Sequence, residues 1–414
     1  MSSIDRLLHR QNSHLTFKAN QGEGRHGWLR LTPAYSVKLV RQMMLDLPAG
    51  SVVTDPFSGT ATTPLAAAEM GLIGQSIDIN PFLVWLGNTK IRNYEEEVII
   101  RCVNEVSRII DESRAECDFE GLWQPALHKI ERWWSPGALA ALKAIRSQYV
   151  ELEGDTRDLL DVIFCRTIIK SSNAAFNHPS MSFKAVADEG PLFQRNEFES
   201  VLDLFEDEAT EILQSARLDL SEGSGKVVLG DSRSTVGGLD KADAIVTSPP
   251  YANRMSYIRE LRPYMYWLGY LEKPSDAGEL DWQAIGGTWG TATSRTGKWQ
   301  PTTQTPVDAE IGRVTSEIAN GNEKNGPLLA KYVHKYHHDM WEHFQSIPAL
   351  LKPGGTASYI VGNSTFYGNE VPVHEWYAEM MIRAGFEQVT YEIIRKRNSN
   401  KKLYEFNVSG KLSR

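Results

Sequence analysis

An apolar strand runs into a rigid turn at residues 243–251, which read DAIVTSPPY. The Ile-Val pair of this stretch is β-branched and a chain breaker follows it, which is typical of a buried strand. The two prolines fix φ and remove two backbone donors, so few local N–H groups remain to satisfy the carbonyls of Ser248 and Pro249. Acceptors held in set directions beside the flat ring of Tyr251 suit a planar ring that carries an amino group.

A second strand and turn lie at residues 51–63, SVVTDPFSGTATT. The strand reaches a turn at Gly59, and a helical segment at 64–70 and a strand at 73–77 follow, ending at Asp78. Ligands of open α/β sheets bind at the carboxyl ends of strands in such βαβ units. Gly59 permits close backbone approach, and Asp78 can accept hydrogen bonds from a ribose diol. The three-glycine fingerprint of dinucleotide sites is missing.

Together the two motifs resemble those of the amino-methyltransferases, which methylate exocyclic amines of DNA bases with S-adenosyl-L-methionine. TSPPY at 247–251 is similar to their catalytic motif, in the form of the cytosine-N4 branch more than the adenine-N6 branch, and DPFSGT at 55–60 is similar to their cofactor loop. LKPGG at 351–355, before a strand, and TPAYS at 32–36, before a helix, extend the resemblance over much of the chain. The resemblance implies an α/β fold: a Rossmann-like class I methyltransferase core with a mixed seven-stranded sheet and a helical insertion.

The resemblance also implies which residues form the site. Tyr251 would stack on a flipped-out base, while Ser248 and the Pro249 carbonyl would accept hydrogen bonds from its amine, with Pro250 completing the catalytic motif. S-adenosyl-L-methionine would bind at the loop, at the end of the second strand and at two further positions. These cofactor residues are Asp55, Pro56, Phe57, Ser58, Gly59, Thr60, Asp78, Asn80, Asp231 and Thr32. No cysteine follows a proline, as the cytosine-C5 mechanism would need.

The chain is organised as a core with two insertions. Residues 1–93 carry the cofactor loop, and residues 94–222 are a helical insert with apolar residues at helical spacing over 95–110, 136–151, 156–171 and 196–218. Residues 223–414 return to the core and contain an irregular tract, rich in Trp and Gly, at about 274–325. The insert precedes the strand at 226–231, which departs from the motif order of the resembling enzymes and leaves the place of target recognition open.

Net charge gives no broad support for nucleic-acid binding. The 414 residues contain 44 basic and 52 acidic side chains, a formal charge of −8, so local cations must carry any contacts with the phosphates of double-stranded DNA. Three segments contain cations that can contact phosphates or side chains that can read base edges. They are a loop after a helix, a position beside the TSPPY motif and a basic run near the C-terminus. Their residues are Arg166, Lys170, Asn173, Asn177, His178 and Lys184; Arg254; and Lys396, Arg397 and Lys401. The alternatives are a polar interhelical loop and a solvated face, and the Trp-rich segment 282–303 is a further candidate.

Other features favour a cytoplasmic protein of a prokaryotic or phage-type cell interior. The three cysteines at 102, 117 and 165 follow no metal or disulfide pattern, residues 1–11 lack an apolar signal core, and no run is long enough to span a membrane. His334 and His338 lie one helical turn apart, but no carboxylate-flanked metal motif accompanies them. We predict structural or surface histidines and no metal.

The predicted function is site-specific methylation of DNA at the N4 amine of cytosine, with base flipping and without a covalent intermediate. Adenine-N6 methylation on the same fold and RNA methylation remain alternatives. A third alternative belongs to another class: an inactive methyltransferase fold that serves as a nucleic-acid-binding subunit. A cognate restriction enzyme or another defence-system component is a partner that the resemblance allows.

Overall fold

The computed structural model describes residues 17–29, 35–175, 182–183, 191–220, 223–252, 256–288, 291–321, 324–397 and 402–414. Its strands are β1 (Val52–Asp55), β2 (Ile73–Asp78), β3 (Ala174–Ala175), β4 (Ser182–Phe183), β5 (Ser224–Leu229), β6 (Ala242–Thr247), β7 (Leu351–Gly362), β8 (Ser364–Phe366), β9 (Asn369–Val371), β10 (Phe386–Lys396) and β11 (Tyr404–Leu412). Its helices are α1 (Val37–Met44), α2 (Thr62–Glu69), α3 (Pro81–Ile91), α4 (Glu96–Ala115), α5 (Pro136–Tyr149), α6 (Gly154–Lys170), α7 (Pro191–Ala216), α8 (Tyr257–Trp267), α9 (Pro274–Gln283), α10 (Thr291–Lys298), α11 (Asp308–Asn320), α12 (Gly326–Ser346) and α13 (Val373–Arg383).

One seven-stranded sheet forms the centre of the molecule, in the order β10-β11-β7-β6-β1-β2-β5. The pairs from β7 to β5 are parallel, whereas β11 is antiparallel to both β7 and β10. The central strands β1 and β6 are buried almost throughout, as expected for parallel strands covered on both faces. The predicted α/β fold with a mixed seven-stranded sheet is confirmed.

Alternate residues of the strands face two different helical layers. Val53 and Val246 pack with α1 and α2 on one face. Val52 and Ile245 belong to the cluster that joins the opposite face to α11, α12 and α13. The resulting three layers bury the sheet and leave the carboxyl ends of its parallel strands free to form a site.

Helices α4 to α7 lie in the chain between β2 and β5, and each of their ends is within five residues of the helical stretches that the apolar spacing predicts between residues 95 and 218. Their apolar faces share one hydrophobic cluster with Phe82 and Leu86 of α3 and with Leu261 and Trp267 of α8. The division of the chain into three domains stays a prediction.

The prediction of an irregular tract at 274–325 is wrong for most of its length. Helices α9, α10 and α11 occupy it, although its Gly, Thr and Ser content disfavours helices locally. Ile311, Val314 and Ile318 form the buried side of α11 and pack against α12, so tertiary packing outweighs the weak local propensity.

None of the helices in the described ranges is both long and apolar enough to cross a membrane.

Candidate active site

A cleft opens at the carboxyl ends of β1, β2, β5 and β6 and encloses about 920 Å³, counting its open mouth. Residues from both predicted motifs line it, together with parts of α8 and the segment that follows α9. The lining residues are Tyr35, Pro56, Phe57, Ser58, Gly59, Thr60, Thr62, Asp78, Ile79, Asn80, Leu83, Gly230, Asp231, Ser232, Ser248, Pro250, Tyr257, Ile258, Leu261, Gln283, Ala284 and Ile285. The position is the one at which open α/β sheets bind ligands.

The loop after β1 is held against the end of β2 by its own backbone. The Ser58 N–H donates to the carbonyl of Ile77, and the Gly59 N–H donates to Oδ2 of Asp78, both at 2.9 Å. Gly59 has φ +52° and Ala61, which precedes α2, has φ +59°, so the loop turns through the left-handed region twice. These bonds present the loop backbone to the cleft, as the prediction for residues 56–60 requires.

Asp78 lines the cleft and accepts two backbone hydrogen bonds, from Gly59 and Asn80, each at 2.9 Å. Burial raises the pKa of its carboxyl to about 7, and the nearby charge of Asp55 adds to the effect. Oδ1 of Asn80 accepts from the Phe82 N–H and thereby caps α3. Asn80 therefore has a structural task at the helix start as well as a place in the cleft wall.

Asp55 is fully buried and is not among the residues that line the cleft. Its carboxylate accepts hydrogen bonds from the Tyr35 hydroxyl and the Phe57 N–H, both at 2.9 Å, and from the Thr247 hydroxyl at 2.5 Å. Burial raises the pKa of Asp55 to about 6. Asp55 thus ties the loop after β1 to Thr247, the last residue of β6, and any influence on a ligand would act through these neighbours.

Asp231 lines the cleft, but its carboxylate is already engaged by Arg233, whose Nη2 lies 2.7 Å from Oδ2. Burial acts to raise the pKa of Asp231, yet the hydrogen bonds from Arg233 outweigh it and lower that pKa. Arg233 also donates to the Gln283 carbonyl and lies 3.3 Å from Asp339. Thr32, the remaining predicted cofactor residue, lies outside the described residues, whereas Tyr35 of the same segment lines the cleft.

The turn at residues 248–251, which the sequence predicts to be the catalytic turn, follows β6 directly, and two of its four residues, Ser248 and Pro250, line the cleft. The Ser248 hydroxyl donates to the Ile360 carbonyl at 3.1 Å, and the Tyr336 hydroxyl donates to the Pro250 carbonyl at 2.7 Å. Within the described residues, no hydrogen bond reaches the carbonyl of Ser248 or of Pro249. Ser248 lines the cleft, whereas Pro249 is buried and is not among the lining residues.

Tyr251 does not line the cleft, and its ring is fixed from the side of the C-terminal strands. Its hydroxyl donates to Oε1 of Glu405 at 2.7 Å, and Glu405, 4% exposed, also accepts from Arg395 at 2.6 Å. The guanidinium of Arg397 lies over the ring, 5.0 Å from its centroid. Burial, followed by the charge of Glu405, holds the pKa of Tyr251 well above its usual range.

Of the predicted DNA-binding residues, some lie within the described residues and make contacts there, and the others lie outside them. Arg166 and Lys170 both form salt bridges with the buried Glu208 of α7, and Arg166 also pairs with Glu211. The Asn173 N–H donates to the Trp133 carbonyl, and its Nδ2 is buried without a hydrogen bond. Lys396 ends β10 and Arg397 follows it. Asn177, His178, Lys184, Arg254 and Lys401 lie outside the described residues.

The site contains residues that the sequence motifs did not indicate. Tyr336 and Glu405 hold the catalytic turn from positions 86 and 154 residues further along the chain. Gln283, Ala284 and Ile285 line the cleft from the tract predicted to be irregular. A buried acid within a strand, such as Glu405 in β11, is the one feature that could have signalled a polar partner.

The sheet order, its antiparallel edge and a cleft at the strand ends are consistent with the core of class I methyltransferases. The chain is similar to the type II methyltransferase M.BsoBI of Geobacillus stearothermophilus, with 23% identity over 433 aligned positions that cover 93% of this chain and 83% of the relative. This similarity indicates distant homology. No protein-family model matches the chain.

Proposed function

We propose that the chain is an S-adenosyl-L-methionine-dependent DNA methyltransferase of the restriction-modification type, and that it methylates the N4 amine of cytosine. The distant homology to a type II methyltransferase supports the general activity. One observation carries the proposal furthest: Ser248 and Pro250 of the TSPPY motif line the same cleft as the loop 56–60 and Asp78. Ser248, one of the proposed amine acceptors, would therefore adjoin the proposed nucleoside site.

The residues of the cleft fit the proposed cofactor. Asp78 offers a carboxylate to a ribose diol, and the loop at 56–60 presents backbone to the ligand. Apolar side chains, among them Leu83, Ile258 and Ile285, cover the flanks in the way that suits a flat adenine ring. S-adenosyl-L-methionine supplies a sulfonium methyl group that an amine nitrogen can attack.

The catalytic turn orients the amine. In this proposal the carbonyls of Ser248 and Pro249 would accept hydrogen bonds from the two hydrogens of the amine, which would draw the nitrogen towards pyramidal geometry and free its lone pair. Positioning and electrostatics then supply the rate, without a covalent enzyme nucleophile. Because Arg397 covers one face of Tyr251, the flipped base would stack on the other face.

Two segments are proposed to engage double-stranded DNA. Lys396, Arg397 and Lys401 carry mainly charge, so their neutralisation should weaken binding to all sequences and flatten its salt dependence. Asn173, Asn177 and His178 can read base edges, so changing them should alter which sequences are methylated. The paired charges of Arg166 and Lys170 mean that phosphate contacts by these two cations would compete with their salt bridges to Glu208.

The test is methylation of plasmid DNA with labelled cofactor, followed by mass spectrometry of the nucleosides. Detection of N4-methylcytosine would support the proposal. Detection of N6-methyladenine would support DNA methyl transfer but show that the target base is adenine. Methylation of RNA and not of DNA would show that the substrate is RNA. Ser248→Ala and Tyr251→Ala should retain the fold and cofactor binding and lose transfer. If wild-type protein binds DNA and never modifies it, the inactive binding subunit is the better description.

A further inference from the structure

A cluster of two histidines and one carboxylate lies away from the cleft, between α11 and α12. Asp308 begins α11, and His334 and His338 lie one turn apart on α12. One ligand atom from each of the three residues lies within 4.8 Å of the other two. Two imidazoles and one carboxylate at this spacing are a ligand set that divalent transition metals use.

The carboxylate is oriented before any ligand arrives. The Thr305 hydroxyl donates to Oδ1 of Asp308 at 2.7 Å, and this same oxygen lies 3.4 Å from Nε2 of His338. Hydrogen bonds of this kind to a ligating carboxylate fix its direction and raise metal affinity. Trp299 lies against both imidazoles, with ring centroids 5.6 Å from His334 and 5.3 Å from His338, and closes one side of the cluster.

His338 is the most buried of the three residues. It is 4% exposed, and within the described residues its Nε2 has no hydrogen bond of normal geometry, although it lies 3.4 Å from Oδ1 of Asp308. A metal ion between the two atoms would satisfy both the buried ring nitrogen and the carboxylate.

The sequence predicted no metal at these histidines because it could not show that Asp308 lies beside them; from this arrangement we infer that Asp308, His334 and His338 bind one divalent transition-metal ion of the zinc type, with water completing its coordination. The ion would join the start of α11 to the middle of α12. Tyr336 lies between the two histidines on α12, and its hydroxyl donates to the Pro250 carbonyl in the catalytic turn. The ion would therefore stiffen the helix that holds this turn, as a positioning element separate from the proposed chemistry.

The experiment uses the full chain after removal of metals by a chelator, with Co²⁺ as the spectroscopic probe. We expect visible d–d absorption that saturates at one Co²⁺ per chain, is abolished by an equivalent of Zn²⁺, and is accompanied by a higher unfolding temperature. His334→Ala and the isosteric Asp308→Asn should abolish saturation. Thr305→Val, which removes only the orienting hydroxyl, should weaken Co²⁺ binding by about 10–100-fold.

His128→Ala is the matched control, since His128 is exposed in the described structure and should leave Co²⁺ binding unchanged. Far-ultraviolet circular dichroism checks that each variant is folded. Absence of saturable binding to wild-type protein would overturn the inference, and so would binding that all three site variants retain. Because neither DNA nor S-adenosyl-L-methionine is present, the result does not depend on the proposed methyl transfer.

Discussion

We predict that the carboxyl of Asp78 makes the affinity for the proposed cofactor depend on pH near neutrality. Burial raises its pKa from 3.8 to about 7, which corresponds to a cost on the order of 4 kcal/mol for holding the charge in the folded protein. Since the folded-state pKa lies above the unfolded one, the stabilisation that protonation provides is complete below about pH 4. It is lost as pH rises through about 7, and Asp55, with its pKa of about 6, acts in the same direction.

Cofactor binding should depend on pH in the direction opposite to folding stability: the affinity should rise as the pH rises. Ribose hydroxyls that donate to the carboxylate stabilise its charged form, so binding below pH 7 must release the Asp78 proton. The affinity should be constant above about pH 8 and should fall by up to about tenfold per pH unit below about 7, the limit for one linked proton. Asp78→Asn should remove this dependence and should weaken binding at pH 8 by about 1–3 kcal/mol through lost hydrogen bonds.

Isothermal titration with S-adenosyl-L-homocysteine from pH 5.5 to 8.5, in buffers of different ionisation enthalpy, measures both the affinity and the protons released. Asp231→Asn is the matched control, because Arg233 keeps the pKa of Asp231 low and outside this range. That variant should retain the pH dependence of the wild type. Parallel curves for wild type and Asp78→Asn would refute the assignment of Asp78 to the ligand.

The remaining predictions concern the catalytic turn and the sheet. Tyr251→Phe loses the hydrogen bond to Glu405, which is worth about 1.5–3 kcal/mol with a charged acceptor. Kinetic assays should show slower methyl transfer with unchanged cofactor affinity, and a wild-type rate would show that the hydroxyl does not position the ring. Gly74→Ala places a Cβ 2.3 Å from the Pro64 carbonyl oxygen, so overpacking should lower the free energy of unfolding by about 1–3 kcal/mol. Gly237→Ala, with no atom within 4 Å of the new Cβ, should leave denaturant unfolding unchanged; equal effects of the two substitutions would contradict the packing argument.

The sequence predicts most of the sheet because its central strands carry strong local signals. The β-branched runs at β1 and β6, each ended by a turn, and the helix between β1 and β2 appear at nearly the predicted residues. Helix α11 was missed because its stability comes from an apolar face that packs on α12, and its composition hides this face. Local composition therefore predicted secondary structure best for the central strands, which are buried on both faces.

The sequence predicted the two motifs of the candidate site but not the contacts that connect their residues to each other and to the rest of the protein. Asp55 and Asp78 both end strands, and the sequence could not show that only Asp78 lines the cleft. Nor could it show that Asp231 is paired with Arg233, since this depends on the turn between them. Tyr336 and Glu405 contact the turn at 248–251 from distant parts of the chain, and apart from the acid within β11 the sequence gives no signal for these contacts.

The shared hydrophobic cluster of α4–α7, α3 and α8 has a consequence for attempts to exchange parts of this protein with relatives. Ile258 and Leu261 of α8 line the cleft on one side and belong to the cluster of the helical insertion on the other. A graft that replaced residues 94–222 alone would cut through this cluster and expose apolar surface on α8. A transplantable unit would have to include α8 together with the insertion. A change in the packing of α8 would then alter the wall of the cleft, which Ile258 and Leu261 line.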